Sequence, residues 1–261
     1  MTGAEDISAL RLAIGYGLLI FPFAIILWYR IPLAGTTLLS VVRMTVQLLF
    51  VGLYLQVVFE QNSVWLNLAW LAVMIGVADF SILRGCELKL RFFAGRLFLA
   101  LLAGTAIPLV VFVLLILAQA SLSQAQYVIP IGGMILGNCL QADIIGIRTF
   151  YESLRKDRKA YLHSLAQGAS LAEAVRPYIA DACRAALAPT IARMSTIGLV
   201  SLPGMMTGVI LGGAEPFSAI KYQIAIMLSI FSGTAITVFL AIRLTRSRSF
   251  DEWGVLRADV F

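Results

Sequence analysis

The sequence predicts an all-α integral membrane protein of about seven transmembrane helices, with the N-terminus outside and the C-terminus in the cytoplasm. Three observations carry that reading. The 261 residues are 60% hydrophobic and only 13% charged, with a mean hydropathy of +0.91, whereas a soluble domain carries about a quarter charged residues. Apolar runs long enough to cross a hydrocarbon core of roughly 30 Å, about 20 residues each, recur along the chain. Lys and Arg gather in alternate loops. Strands are excluded because every run is long and continuously apolar, not short and alternating.

The expected spans are 10–28, 37–59, 64–83, 97–119, 126–147, 191–213 and 217–242. The first is read as a retained helix, not a signal peptide: Glu5 and Asp6 precede it, and Phe21-Pro22-Phe23 is no small-residue cleavage site. The second carries Arg43 and Gln47, four apart and so on one helical face. Arg43 lies within two turns of the inner end, where it can snorkel or pair with Asp79 of the third span. Between Leu97 and Ala142 there is no charge, yet the stretch is too long for one helix. The polar break SLSQAQ (121–126), with Pro130 after it, divides it into the fourth and fifth spans.

Orientation follows from the basic residues. With the N-terminus outside, all Lys and Arg except Arg11, Arg43 and Lys221 fall in inner segments. The whole chain, 1–261, is thus one polytopic transmembrane domain, and its one large cytoplasmic segment is 148–190. That segment opens with RKDRK (155–159) and ends at Pro189. Tyr151, Leu154, Tyr161, Leu162 and Leu165 recur at helical spacing within it, which predicts an amphipathic helix. Both a solvated extension of the fifth helix and a docking element for a cytosolic partner fit this pattern.

Several chemistries are excluded. No G-x-x-x-x-G-K-[ST] phosphate loop occurs, so the chain has no such ATPase site, and no membrane-embedded catalytic cluster is present. His163, the single histidine, lies in the cytoplasmic segment. Cys86, Cys139 and Cys183 are odd in number and widely spaced, which indicates neither a disulfide framework nor a metal knuckle. The net charge of +6 comes without a basic stripe of interleaved aromatics, so no nucleic acid is expected.

Two glycine-rich stretches stand out. VIPIGGMILGN (128–138) joins Pro130 to Gly133 and Gly137, and LPGMMTGVILGG (202–213) spaces Gly204, Gly208 and Gly212 four apart. Small residues at that spacing let helices approach closely in lipid. Pro203-Gly204 is expected to kink or interrupt its span, and broken helices often line a translocation path. Candidates for that path are Arg43, Gln47, Met134, Asn138, Asp143, Pro203, Gly204, Met205 and Met206, with Gln141 nearby. The methionines offer soft thioethers, but nothing in the pattern fixes a metal ligand set.

Two resemblances add to this. LAQGASLAEAV (165–175), continuing to Leu187-Ala188-Pro189, resembles the cytoplasmic coupling loop of importer-type ABC permeases. Tyr161, Leu162 and His163 stand where that loop usually opens with Glu-Ala-Ala. The resemblance implies that Leu165, Gly168, Ala169, Ser170, Glu173 and Pro189 couple to an ATPase. RMTVQLLFVG, IPIGGMILGN, GLVSLPGMMTGVILGG and AIKYQI, in that order, look like the FetB-type permease family, over residues 37–245. That family implies a homodimeric permease subunit in a bacterial inner membrane, exporting a metal such as iron. A separate ATPase subunit would use ATP and Mg, with no cofactor on this chain, and plant relatives are linked to aluminium tolerance. A free-standing secondary transporter or channel is the alternative reading.

Overall fold

The computed structural model describes residues 8–118 and 122–257. They form α1 (Ala9–Tyr16), α2 (Ile20–Trp28), α3 (Ala34–Gln61), α4 (Val64–Gly85) and α5 (Leu90–Val111). After these come α6 (Ala125–Lys156), α7 (Arg158–Ala166), α8 (Leu171–Thr196), α9 (Gly204–Leu211) and α10 (Pro216–Ser249). No strand occurs among the described residues, so the all-α membrane class stands. Among the described residues six helical stretches are long and apolar enough to cross a bilayer: Leu10–Trp28, α3, α4, Leu90–Ile116, α6 and α10. The seventh expected span, 191–213, is not a continuous helix. Residue 119 of the fourth expected span, and Ser121 of the polar break, lie outside the described residues.

Local chemistry sets the element ends. Asn62 takes a left-handed backbone, φ 42°, and closes α3; its Oδ1 also accepts from the Ala125 amide at the start of α6, at 3.4 Å. Asn67 of α4 donates to the carbonyls of Leu122 and Ser123, at 3.0 and 2.9 Å, tying down the approach to α6. Pro108, inside α5, cannot donate to the Gly104 carbonyl one turn earlier. A short π turn, Phe112–Ile116, follows it.

The core is a bundle of α4, α5, α6, α8 and α10. Thr237 of α10 donates to Asp143 of α6 at 2.8 Å, and Tyr151 shares a hydrogen bond with Ser249 at 2.5 Å. Residue numbers rise together along this contact, so α6 and α10 run parallel. The chain between them therefore returns through α8 and α9. α5 crosses α10 at its closest point where Gly104 meets Gly233: a Cβ on Gly233 would lie 2.5 Å from the Gly104 oxygen. The carbonyl that Pro108 leaves free is the one facing this contact, where a Cα–H donor can approach it.

α1, α2 and α3 stand apart. Val58 is the one fully buried side chain of α3. It packs with Ala125 and Ile129 of α6, while Tyr54 stacks on Trp70 of α4 at 4.1 Å. Below that footing the three helices are exposed on nearly every face. A bilayer tolerates this, because lipid tails cover apolar helix surface as well as another helix does.

Candidate translocation site

The uncharged stretch of α10 between Lys221 and Arg243 spans about 31 Å, one hydrocarbon thickness. It gives a depth scale for the bundle. Gly233 lies near its middle and faces Cys139 of α6, whose sulfur would be 3.5 Å from a Cβ there. Arg148, Arg184, Arg243 and the end of α4 mark one boundary: Arg148 donates to the Gly85 carbonyl, and Ala186 faces Gly146.

On this scale α8 enters the apolar layer near Arg184, about seven residues before the expected start of that span. Pro189, expected on the cytoplasmic coupling surface, lies inside α8, five residues beyond Arg184. Arg193 moves further still. Its Nη1 donates to Asn138 Oδ1 at 2.9 Å, and Asn138 in turn donates to the Met134 carbonyl at 2.8 Å. Asn138 is about ten residues, or about 15 Å, up α6 from Arg148. Sequence reasoning placed Arg193 among the loop basics. The missed signal was the length of uninterrupted helix from Leu171, which carries Arg193 past the boundary.

Just above Arg193 the helix breaks. Ile197 is extended and Gly198 has φ +86°, a backbone that side-chain-bearing residues rarely adopt. The Gly198 amide donates to the Ser201 carbonyl at 2.9 Å, and Pro203 precedes the first turn of α9. Pro203-Gly204 thus lies at the end of an interruption that spans 197–203. Beside it is a cavity of about 400 Å³, lined by Met194, Ile197, Pro203, Met206, Gln223 and Met227 among others. Met206 is a residue expected in the path; Met194, Gln223 and Met227 were not singled out from the sequence. Met205 and Met134 pack against the core and are half-buried.

Asp143 is fully buried. Its Oδ2 accepts from Thr237, its Oδ1 has no hydrogen-bond partner, and it faces no open space in this conformation. Arg43 and Gln47 are exposed on α3. They fall on one helical face with Thr36, Ser40, Tyr54 and Val58, by steps of three, four and seven residues. Tyr54 and Val58 reach the bundle, so the polar stripe is directed to the same side, across the space that opens as α3 diverges. Among the described residues no group of three His, Cys, Asp or Glu could hold a metal ion.

Within the chain, the close glycine contacts fall mostly at other glycines than the expected packing face. A Cβ on Gly137, Gly204 or Gly208 would meet nothing within 4 Å, and one on Gly212 would meet only carbonyls of its own helix. Gly133 approaches Met74. The close contacts belong to Gly104, Gly132, Gly146 and Gly233. These lie on three different helices, so no four-residue spacing announces them.

At the basic end, α7 and α8 meet in a tight turn. Gly168 takes φ +94°, and Ser170 begins α8 with a capping box: its side chain accepts from the Glu173 amide while Glu173 accepts from the Ser170 amide. The Ser170 side chain and then its amide hold the Glu173 carboxyl below its ordinary pKa. Gly168 and Ser170 are exposed and Ala169 is half-exposed. Leu165 packs against the core, close to Gly254 of the C-terminal hook. Tyr161 donates to the Gly254 carbonyl at 2.6 Å, and burial pushes its hydroxyl pKa up to about 12.

Comparison with known proteins decides the family. The model of the uncharacterised protein family UPF0014 matches residues 9–250. The chain belongs to the UPF0014 family. It is 35% identical to a UPF0014 membrane protein of Synechocystis, over 82% of this chain and 83% of the relative. It is 32% identical to the protein ALUMINUM SENSITIVE 3 of Arabidopsis thaliana, over 94% of this chain and 89% of that one. It is also 32% identical to the probable iron export permease protein FetB of Escherichia coli, over 85% of this chain and 84% of that one. No solved structure matches. The chain is a multi-pass membrane protein of a family that includes a named permease.

Proposed function

We propose that this chain is the membrane subunit of an ABC transporter that exports a metal such as iron. A separate cytosolic subunit would hydrolyse ATP with Mg, and two copies of the permease would associate. The observation that carries this reading is the similarity to the FetB permease across 85% of the chain. The basic end faces the cytoplasm by the positive-inside rule, and the turn 167–170 is the coupling surface.

The mechanism follows from α8. One continuous helix of 26 residues, about 39 Å long, runs from the capping box at Ser170 to the break at Ile197. ATPase closure would push the turn, tilt α8 as a lever, and displace Arg193 and the 197–203 interruption together. α9 would move against α10 at the methionine-lined cavity, opening the path alternately to each side.

Co-expression with candidate ATPase subunits tests the proposal. A complex should form, and a bulky charge introduced into the turn, as in Ser170→Lys, should dissociate it without loss of membrane insertion. A chain that transports with no ATPase bound is a free-standing transporter or channel, and the proposal fails.

A further inference from the structure

Arg193 stands at mid-depth and Arg43 about two turns inside the basic boundary, and among the described residues neither has an acid to balance it. We propose that the solute carried along this path is net anionic and presents carboxylate or phosphate oxygens to Arg193 and Arg43. The inference rests on the permease reading and narrows its cargo class.

Arg193 is exposed, and it donates to the neutral amide oxygen of Asn138. A charged side chain at that depth faces a bundle interior or a water-filled path, or it is paired. Snorkelling does not reach the boundary, because about 15 Å exceeds the length of an arginine side chain. Nor do the described residues of this chain supply a counter-charge. Asp79 and Asp143 are buried, and Asp143 lies about 140° round α6 from Asn138, bonded to α10.

A second copy does not supply one either. Every exposed acid among the described residues lies outside the uncharged depth: Glu60 and Glu215 at one boundary, Glu87, Glu152, Asp157, Glu173, Asp181 and Glu252 toward the other. The charge is therefore left for the solute to balance. The guanidinium fork is suited to that, because it matches carboxylate and phosphate oxygens two at a time.

Arg43 points the same way. Counting from Val58, which packs at the level of Ala125 and Ile129, Gln47 and Arg43 come about 16 and 22 Å down α3. That is the depth of Asn138 and Gln141. The polar stripe Thr36–Ser40–Arg43–Gln47 is directed toward the bundle, where the exposed Gly137 and Gln141 lie at the same level. A bare divalent cation finds no anionic ligand among these groups. Iron on this path would travel as a complex with net negative charge.

The test uses the full chain purified in detergent, titrated by calorimetry with citrate, ferric citrate, inorganic phosphate and ferrous ion. Citrate, its ferric complex or phosphate should bind, and ferrous ion alone should not. Comparing citrate with phosphate separates the two oxygen chemistries, and citrate with its ferric complex separates free from metal-loaded anion. Arg193→Gln should weaken anion binding at least tenfold, Arg193→Lys should weaken it less, and raised salt should weaken it in the wild type. Arg43→Gln, on the other wall, should also weaken it. Ferrous binding without anion binding overturns the inference, as does no binding at all. Unchanged anion affinity in Arg193→Gln, or in Arg43→Gln should the first variant not fold, also overturns it. ATPase association, measured on the same variants, should persist; its absence in the wild type would count against the permease reading.

Discussion

The contact between Gly104 and Gly233 allows a substitution to be worked through quantitatively. A Cβ at Gly233 would stand 2.5 Å from the Gly104 oxygen and 2.9 Å from Ile135 Cγ2. Real side chains do not approach a backbone oxygen so closely, so α5 and α10 would have to separate along their whole crossing. Forcing a methyl into a well-packed site costs about 1–3 kcal/mol, and an approach of 2.5 Å to backbone puts this site in the upper part of that range, about 2–3 kcal/mol. Removing a helical glycine returns up to about 1 kcal/mol of backbone propensity. Gly233→Ala should therefore lose about 1–2 kcal/mol net. At about 2–4 °C per kcal/mol for a chain of this size, Tm should fall by about 2–8 °C. Gly208→Ala is the control: nothing lies within 4 Å of its Cβ position, so the propensity gain stands alone and Tm should hold or rise. The assay is thermal unfolding of both variants in detergent. A Gly233→Ala protein as stable as the wild type, or an equal loss in Gly208→Ala, would refute the packing argument.

Further outcomes follow from the same geometry. Gly198→Ala should destabilise the break by about 1–2 kcal/mol, since φ +86° strains a residue with a Cβ; thermal unfolding reads it, and an unchanged Tm contradicts it. Ser170→Ala should cost the first turn of α8 about 1 kcal/mol, seen as faster amide exchange at 171–174. The depressed Glu173 carboxyl contributes stability above its unfolded pKa and loses it as pH falls through the lower folded value. Protection of that turn should thus fade below pH 4.5 and become independent of pH there in Glu173→Gln. Asn67→Leu should free the 122–124 approach to α6, which cysteine accessibility at position 123 would report.

Hydropathy made the membrane class and six of the spans legible, because lipid imposes one length and one composition on a crossing helix. The seventh expected span was only partly readable. Its apolar run begins at Ile191, yet α8 runs unbroken from Leu171 to Thr196 and sets Arg193 beside Asn138. Charge counting assigns such a residue to a loop, and only its contact with Asn138 places it at depth. The break was visible in Pro203-Gly204, but Gly198 sets its other limit. The tight glycine contacts within the chain were hidden for a related reason: they pair residues distant in sequence, and the spacing of Gly204, Gly208 and Gly212 describes a face of one helix that meets no other element of the same chain. Asp143 was legible as an intramembrane acid, but its enclosure against Thr237 was not.

Energy supplied from outside the chain is the claim on which the account turns. Its most direct measurement is solute export by proteoliposomes holding this chain with its candidate ATPase. Transport should require ATP and Mg, stop when the ATPase is omitted, and fall sharply when the α7–α8 turn is altered by Ser170→Lys. Transport at full rate by this chain alone, driven by an ion gradient and indifferent to ATP, would contradict it.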